Sequence, residues 1–400
     1  MGALSNIEKE AVGLASAEPM LEQVEVWAAV NSGSRNLAGL ETTAAMLADA
    51  FSILPCEMTL EAAAPVESVD SLGRNIPLEH GRNLHLTVRP DAPLQLLLTG
   101  HMDTVYGPDH SFQDLAWLED GVLGGPGVAD MKGGIAVMLA ALKAIETVGA
   151  QHIGYEIVIN SDEEVGSLGS AVLLAQAARG KRAALTYEPA ALPDGTLAGA
   201  RPGSGNFDFT IHGRSAHAGR NPEDGRNALV AAAELAIRLK DGMGPRLSVN
   251  PARIDGGSPN NVVPDLAVLR VNVRPATLED QTRAQSLIAS SVAMVAASHD
   301  VTIDVHGHFA RPPKPVTPEI EALFGVVRKA GADLGQEIDW KPSGGVCDGN
   351  NIAACGVPVI DTMGVRGGKI HSPEEYLIVE SLGERAALSA LTILRLAEGA

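Results

Sequence analysis

The apolar positions of this chain follow two periods in turn, and the order in which they alternate predicts its architecture. Residues 20–54 read as helical, with a break at Asn31-Ser32-Gly33-Ser34. Leu94-Gln95-Leu96-Leu97-Leu98-Thr99 is a short apolar run of strand length. Met131 to Val148 is rich in Ala, Leu and Ile and has helical length. Tyr155 to Asn160 reads as a strand, Ser167 to Ala178 as a helix and Ala183 to Tyr187 as another strand. Strands alternating with helices predict an α/β fold, a mostly parallel sheet with helices on both faces. Functional groups in such sheets gather at the carboxyl ends of the strands.

Near Ala200 the texture changes. Asn206 to Gly213 alternates like a half-exposed strand, and Arg226 to Lys240 reads as an amphipathic helix. Leu247 to Ile254 and Leu266 to Val273 read as strands, Thr277 to Ala297 as a helix and Val301 to His306 as a last strand. This is a βαββαβ order, the ferredoxin-like split pattern. It predicts an inserted domain over residues 200–308, with the main domain formed by 1–199 and 309–400. Pro312-Pro313-Lys314-Pro315 marks the return. Both crossings, near Ala200 and near Ala310-Arg311-Pro312, suit hinges, so the insert is expected to move as a lid. Residues 316–400 resume the α/β texture: a helix, a Gly-rich loop, the strand Pro358-Val359-Ile360-Asp361, the His371 loop and a final helix from Ile378.

Composition narrows the classes. A length of 400 residues fits two domains, and 45% apolar with 20% charged residues supports an ordinary core. The net charge of −19, with no Lys/Arg-rich run, argues against nucleic acid as a partner. Cys56, Cys347 and Cys355 are odd in number and lack C-x-x-C spacing, so no disulfide framework is expected. The segment through Glu18 has no basic stretch followed by an apolar one, and no apolar run reaches membrane-spanning length. A soluble cytoplasmic protein with no membrane partner is the expectation.

The candidate chemistry sits after the predicted strands. His101 follows the Leu94 run, the triplet Asp162-Glu163-Glu164 follows Tyr155–Asn160, and Glu188 follows Ala183–Tyr187. Asp130 and His371 lie in Gly-flanked loops, where glycine permits close backbone approach. Zinc takes imidazole nitrogen and carboxylate oxygen, and a catalytic site keeps one position for water. If Asp130 bridges two metals, His101 and Glu188 complete one and Glu164 and His371 the other. Two such ions about 3.5–4 Å apart can polarise a carbonyl and activate water together. Glu163 is left over and suits a general acid/base. Asp103 can accept the other N–H of His101. His80, His85, His110, His152, His212, His299, His306 and His308 are read as structural. A metal-dependent binding protein and a two-metal phosphoesterase are the competing classes. The first would be favoured by a missing ligand or base, and the second would want a cationic phosphate cradle; neither feature is found.

The motifs Gly-His-Met-Asp-Thr-Val, Gly-Val-Ala-Asp-Met-Lys-Gly-Gly, Ser-Asp-Glu-Glu-Val-Gly-Ser, Gly-Arg-Ser-Ala-His-Ala-Gly and His-Ser-Pro-Glu-Glu-Tyr occur in this order. In them the chain resembles, over nearly its whole length, the co-catalytic zinc hydrolases typified by glutamate carboxypeptidase, acetylornithine deacetylase and succinyl-diaminopimelate desuccinylase. The resemblance implies two zinc ions per subunit, replaceable by cobalt or manganese. It implies His101, Asp130, Glu164, Glu188 and His371 as ligands and Glu163 as base. It also implies that His217 steadies the carbonyl oxygen, often across a dimer formed through the inserted domain. Asn261 and Arg274 resemble positions near the substrate, Arg274 suiting a substrate carboxylate. Gly344-Gly345 and Asp348 fall in what looks like a substrate loop, with Asp348 not read as catalytic. Glu188 is the residue found in the carboxypeptidases and deacylases, where aminopeptidase relatives usually carry Asp. Gly364-Val365-Arg366-Gly367-Gly368 looks closer to the carboxypeptidase branch. A peptide and an N-acyl amino acid both remain open as substrate.

Overall fold

A computed structural model describes residues 4–398. The main sheet has six strands in the order Glu57–Glu61, Asn83–Val88, Ile153–Asn160, Leu94–His101, Ala183–Thr186 and Val359–Ile360. The last four run parallel to one another, and Asn83–Val88 is antiparallel to both of its neighbours. The sheet is therefore mostly parallel. The sequence reading lacked the two strands at its antiparallel edge, which are short and mixed in polarity.

Alternation along the central strands explains why helices cover both faces. Leu96 and Leu98 enter the larger core with the apolar helix Gly133–Thr147 and with Ser381–Ala397. Leu97, Val158 and Val359 point the other way, onto Ala171–Ala178 and Asp348–Ala354. Most of Gly133–Thr147 is buried all round, as its uniform apolar sequence requires. The chain also opens with a helix, Asn6–Ala17, started by a capping box between Ser5 and Glu8.

A second sheet holds Leu247–Gly256, Leu266–Pro275, Ser204–His212 and Thr302–Arg311 in that order, all antiparallel. One face packs under the helices Ala228–Asp241 and Leu278–His299 in a core of its own. The βαββαβ order is thus the observed one. Its last strand runs to Arg311, five residues past His306, where the sequence reading ended it. That extension carries Arg311 into the main domain. Among the described residues no helix is long and apolar enough to cross a membrane.

The two crossings between the sheets are pinned. Arg201 and Lys314 pair backbone to backbone, each N–H donating to the other's carbonyl at 3.0 Å. Both side chains reach the same buried carboxylate: Asp361 accepts Arg201 Nε at 2.7 Å and Lys314 Nζ at 2.7 Å. Asn350 Nδ2 adds bonds to the carbonyls of Pro202 and Pro312. The Gly/Pro content of these segments suits hinges, and this clamp fixes where both of them leave the main domain. Asp361→Ala would leave two buried cations without their anion. A loss of about 3–5 kcal/mol is expected, read as an earlier thermal or denaturant midpoint. An unchanged midpoint would show that the clamp contributes nothing.

Candidate active site

The carboxyl end of Leu94–His101 delivers His101, which is buried, and Asp103 follows at once. Asp103 Oδ2 accepts Ser34 Oγ at 2.7 Å and the Glu164 amide at 3.2 Å, while Oδ1 accepts the Glu163 amide at 3.1 Å. His101 Nδ1 lies 3.0 Å from the Asp103 carbonyl and 3.4 Å from its carboxylate. Asp103 thus positions both His101 and the Glu163-Glu164 pair, a wider role than holding one imidazole.

Asp130 is presented by the turn before Gly133–Thr147. Gly134 lets that helix start against the end of Ala183–Thr186, since a Cβ there would fall 1.9 Å from the Tyr187 carbonyl oxygen. Gly364 is held close to the same segment: a Cβ there would fall 2.3 Å from the Tyr187 carbonyl oxygen and 2.6 Å from that of Glu188. The turn is fastened by Glu375, a buried carboxylate that accepts the amides of Gly127, Ala129 and Asp130 at 3.0–3.2 Å. Glu375 lies inside the His371 motif, but its sequence offered no sign of that partner, more than 240 residues away. His371 has φ 61°, a left-handed conformation that a side chain makes costly and that clusters at functional sites.

These elements bring the five expected ligands together. His101 Nε2 lies 3.1 Å from Asp130 Oδ1 and 3.7 Å from Glu188 Oε2. His371 Nε2 lies 3.3 Å from Asp130 Oδ2 and 3.0 Å from Glu164 Oε2. The two oxygens of Asp130 therefore face two imidazole–carboxylate pairs. Ligand atoms of His101, Asp130 and Glu164 lie within 4.8 Å of one another, as do those of His101, Glu163 and Glu188. The donor set fits divalent metal: borderline nitrogen and hard oxygen, with more carboxylates than cations to balance them.

Charge crowding moves the ionisations. Burial, then the neighbouring Asp130 charge, raises the Glu164 carboxyl to about 7. Hydrogen bonds to Asp130 and Glu164 raise His371 to about 11. Burial alone would lower His101, but Glu188, Asp103 and Asp130 together lift it well above the usual histidine range. Burial also lifts Glu163 well above the carboxylate range, opposed by Arg311 and aided by Glu188.

Arg311 is the functional residue that the sequence reading missed. Its Nη2 donates to Glu163 Oε1 at 2.6 Å and to the Glu163 carbonyl at 2.9 Å. Its Nη1 donates to Asp348 Oδ1 at 2.9 Å. Asp348 is buried and also accepts Asn160 Nδ2 and Ser167 Oγ, so it anchors Arg311 and does not line the cavity. Strict alternation from His306, His308 and Ala310 would run on to Pro312; a register shift opposite Ser204 and Asn206 brings Arg311 onto this face instead, and no local signal announced it.

A cavity of about 940 Å³ opens over Glu163, Glu164 and His371, lined on the insert's side by Arg274 and Arg311 among others. Arg274 is exposed and bonds Asn272 Oδ1 at 3.0 Å. His306 and His308, read as structural, also line it. His217 and Asn261 do not. They lie side by side on the surface, with His217 bridged to Val262 and the Ala218 amide bonded to the Asn261 carbonyl.

A mostly parallel sheet whose strand ends carry His101, Glu164 and Glu188, met there by Asp130 and His371 from loops, describes a metal-dependent hydrolase. The chain belongs to Peptidase family M20/M25/M40, whose profile matches residues 97–395. It is 30% identical to carboxypeptidase G2 of Pseudomonas sp. (strain RS-16) over 333 residues, which cover 80% of this chain and 78% of that one. It is 29% identical to succinyl-diaminopimelate desuccinylase of Maricaulis maris over 353 residues, covering 81% and 87%. In fold it matches aminopeptidase PepT of Bacillus cereus with a TM-score of 0.72, over 94% of this chain and 98% of that one, at 23% identity.

Proposed function

We propose that this protein is a two-zinc amide hydrolase that releases a carboxylate-bearing amino acid from a peptidyl or acyl group, in the manner of a glutamate carboxypeptidase. The observation that carries this reading is the division of Asp130, one oxygen toward His101 and the other toward His371. His101 and Glu188 would hold one ion, Glu164 and His371 the other, with Asp130 shared and cobalt or manganese as substitutes. When bound, the ions would polarise the scissile carbonyl and acidify the attacking water.

Glu163 takes the proton from that water as its oxygen attacks the carbonyl carbon. Its Oε2 is the accepting atom, since Oε1 is held by Arg311 and Oε2 has no protein partner among the described residues. The same proton then passes to the amide nitrogen as the C–N bond breaks, giving a carboxylic acid and an amine. Arg274 suits the carboxylate of the released amino acid. The likeness to a desuccinylase supports a second reading, N-acyl amino acid deacylation, which uses the same chemistry. Metal titration of the purified protein, with dipeptides and N-acyl amino acids assayed at each equivalent, tests both. Amide cleavage that saturates at two equivalents supports the proposal, and metal binding without cleavage would favour a binding protein.

His217 steadies the carbonyl oxygen in a homodimer formed through the insert, with Asn261 beside it as a substrate contact; their place outside the cavity of their own chain supports this. His217→Ala should lower kcat by roughly 10²–10³-fold, the cost of one lost oxyanion donor, with metal content unchanged. Mixing it with inactive Glu163→Gln should restore activity in mixed dimers. Subunit exchange proved by mass, with no activity recovered, would put His217 outside the partner's site.

A further inference from the structure

Beyond Arg274 and Arg311, the insert shows the cavity a row of polar side chains that the chemistry above does not use. Phe207, Phe209, Val249, Val271 and Val273 pack under its helices, so the residues between them face the opposite way. These form rows across the sheet. Asn250 pairs in register with Asn272, Asn272 with Asn206, and Asn206 with His308. All four line the cavity. One rung nearer the metal ligands come Arg274, Ser204 and Arg311. One rung further out come Arg270, Asp208 and His306, where the cavity closes against the Glu67–Val69 strand. There Arg270 Nη2 donates to the Val69 carbonyl at 2.9 Å, and His306 Nε2 lies 3.2 Å from the Glu67 carbonyl oxygen. Rungs on one sheet face are ~7 Å apart, so the rows span ~14 Å from the ligand side to the closed end.

The middle row has unspent hydrogen-bonding capacity. Asn272 Nδ2 is used by Ser204 Oγ, the Gly205 carbonyl and Asn206 Oδ1, and Asn272 Oδ1 accepts from Arg274. Among the described residues, Asn206 Nδ2, the whole amide of Asn250 and the His308 ring have no protein hydrogen-bond partner. The main domain's side of the cavity adds the apolar side chains of Val66, Leu78, Val165 and Leu168. A group lying in the cavity meets this hydrocarbon and the free amide donors. An alkyl chain there would strip water from these donors and return no bond.

We infer that, given amide hydrolysis at this site, the acyl half of the substrate is a short peptidyl or equally polar chain, about two residues long, read by Asn206, Asn250 and His308. The test uses the metal-loaded full chain and two substrates that release the same amino acid. One carries an N-acetylglycyl group and the other an N-pentanoyl group, which matches its main-chain length and lacks the inner amide. The N-acetylglycyl substrate should have kcat/KM about tenfold higher. Asn206→Leu with Asn250→Leu should bring that ratio to within about twofold of one. A ratio is unaffected by partial loss of folded enzyme, and Asn250→Leu alone, which removes no protein hydrogen bond, should lower it part of the way. A wild-type ratio near one, or a ratio that survives both substitutions, overturns the inference while leaving amide hydrolysis standing. No cleavage of either substrate with metal bound overturns both.

Discussion

Replacing Asp130 by alanine is expected, if the proposed two-ion site holds, to strip both ions from the protein at once, and activity with them. Each Asp130 oxygen lies within 3.3 Å of a different imidazole, so its loss removes a ligand from both halves of the site. What remains is His101 with Glu188 on one side and His371 with Glu164 on the other. Two donors do not make the three protein ligands that catalytic zinc sites usually have. The side chain is buried, but Glu375 holds the turn through backbone amides and these survive the substitution. The variant should therefore fold, with circular dichroism unchanged, and elemental analysis should find well under one tight ion per chain. Retention of two tightly held ions would refute the shared ligand, and loss of only one would assign Asp130 to a single metal.

Glu163→Gln is expected to keep metal and substrate and lose turnover by about 10²–10⁴-fold. Glutamine has the same shape, and its amide oxygen can still accept from Arg311, 2.6 Å from Oε1 in the parent. The substitution therefore removes proton transfer with little repacking. Because the loss lies in a step after binding, kcat should fall with KM nearly unchanged. Metal content and inhibitor affinity provide the controls. Near-normal kcat at full metal occupancy would take Glu163 out of the mechanism.

The cluster proposed as the metal site could be assembled from the sequence because each proposed ligand sits where local sequence already announces a strand end or a Gly-flanked turn. His101, Glu163, Glu164 and Glu188 each follow an apolar run of strand length, and a parallel sheet aligns such ends. The glycines at 134 and 364 are likewise local marks of close approach, although what they approach, Tyr187 and Glu188, is not written beside them.

The partners of those residues were not legible. Arg311 lies 148 positions from Glu163, and it looked like linker because the strand that carries it ends among prolines. Asp361 draws both crossings onto one carboxylate, where Gly and Pro content suggested freedom. His306 and His308 looked like surface histidines because alternation gives the face of a strand but not what that face meets. Sequence by itself determined the donor types, their order and the pairing of a mostly parallel sheet with a βαββαβ insert, because periodicity and turn chemistry act over a few residues. Only the tertiary structure decided which charges neutralise which, and which polar groups are left free to meet a substrate. Those choices follow from Coulomb attraction and desolvation between segments that chain folding alone brings within a few ångströms.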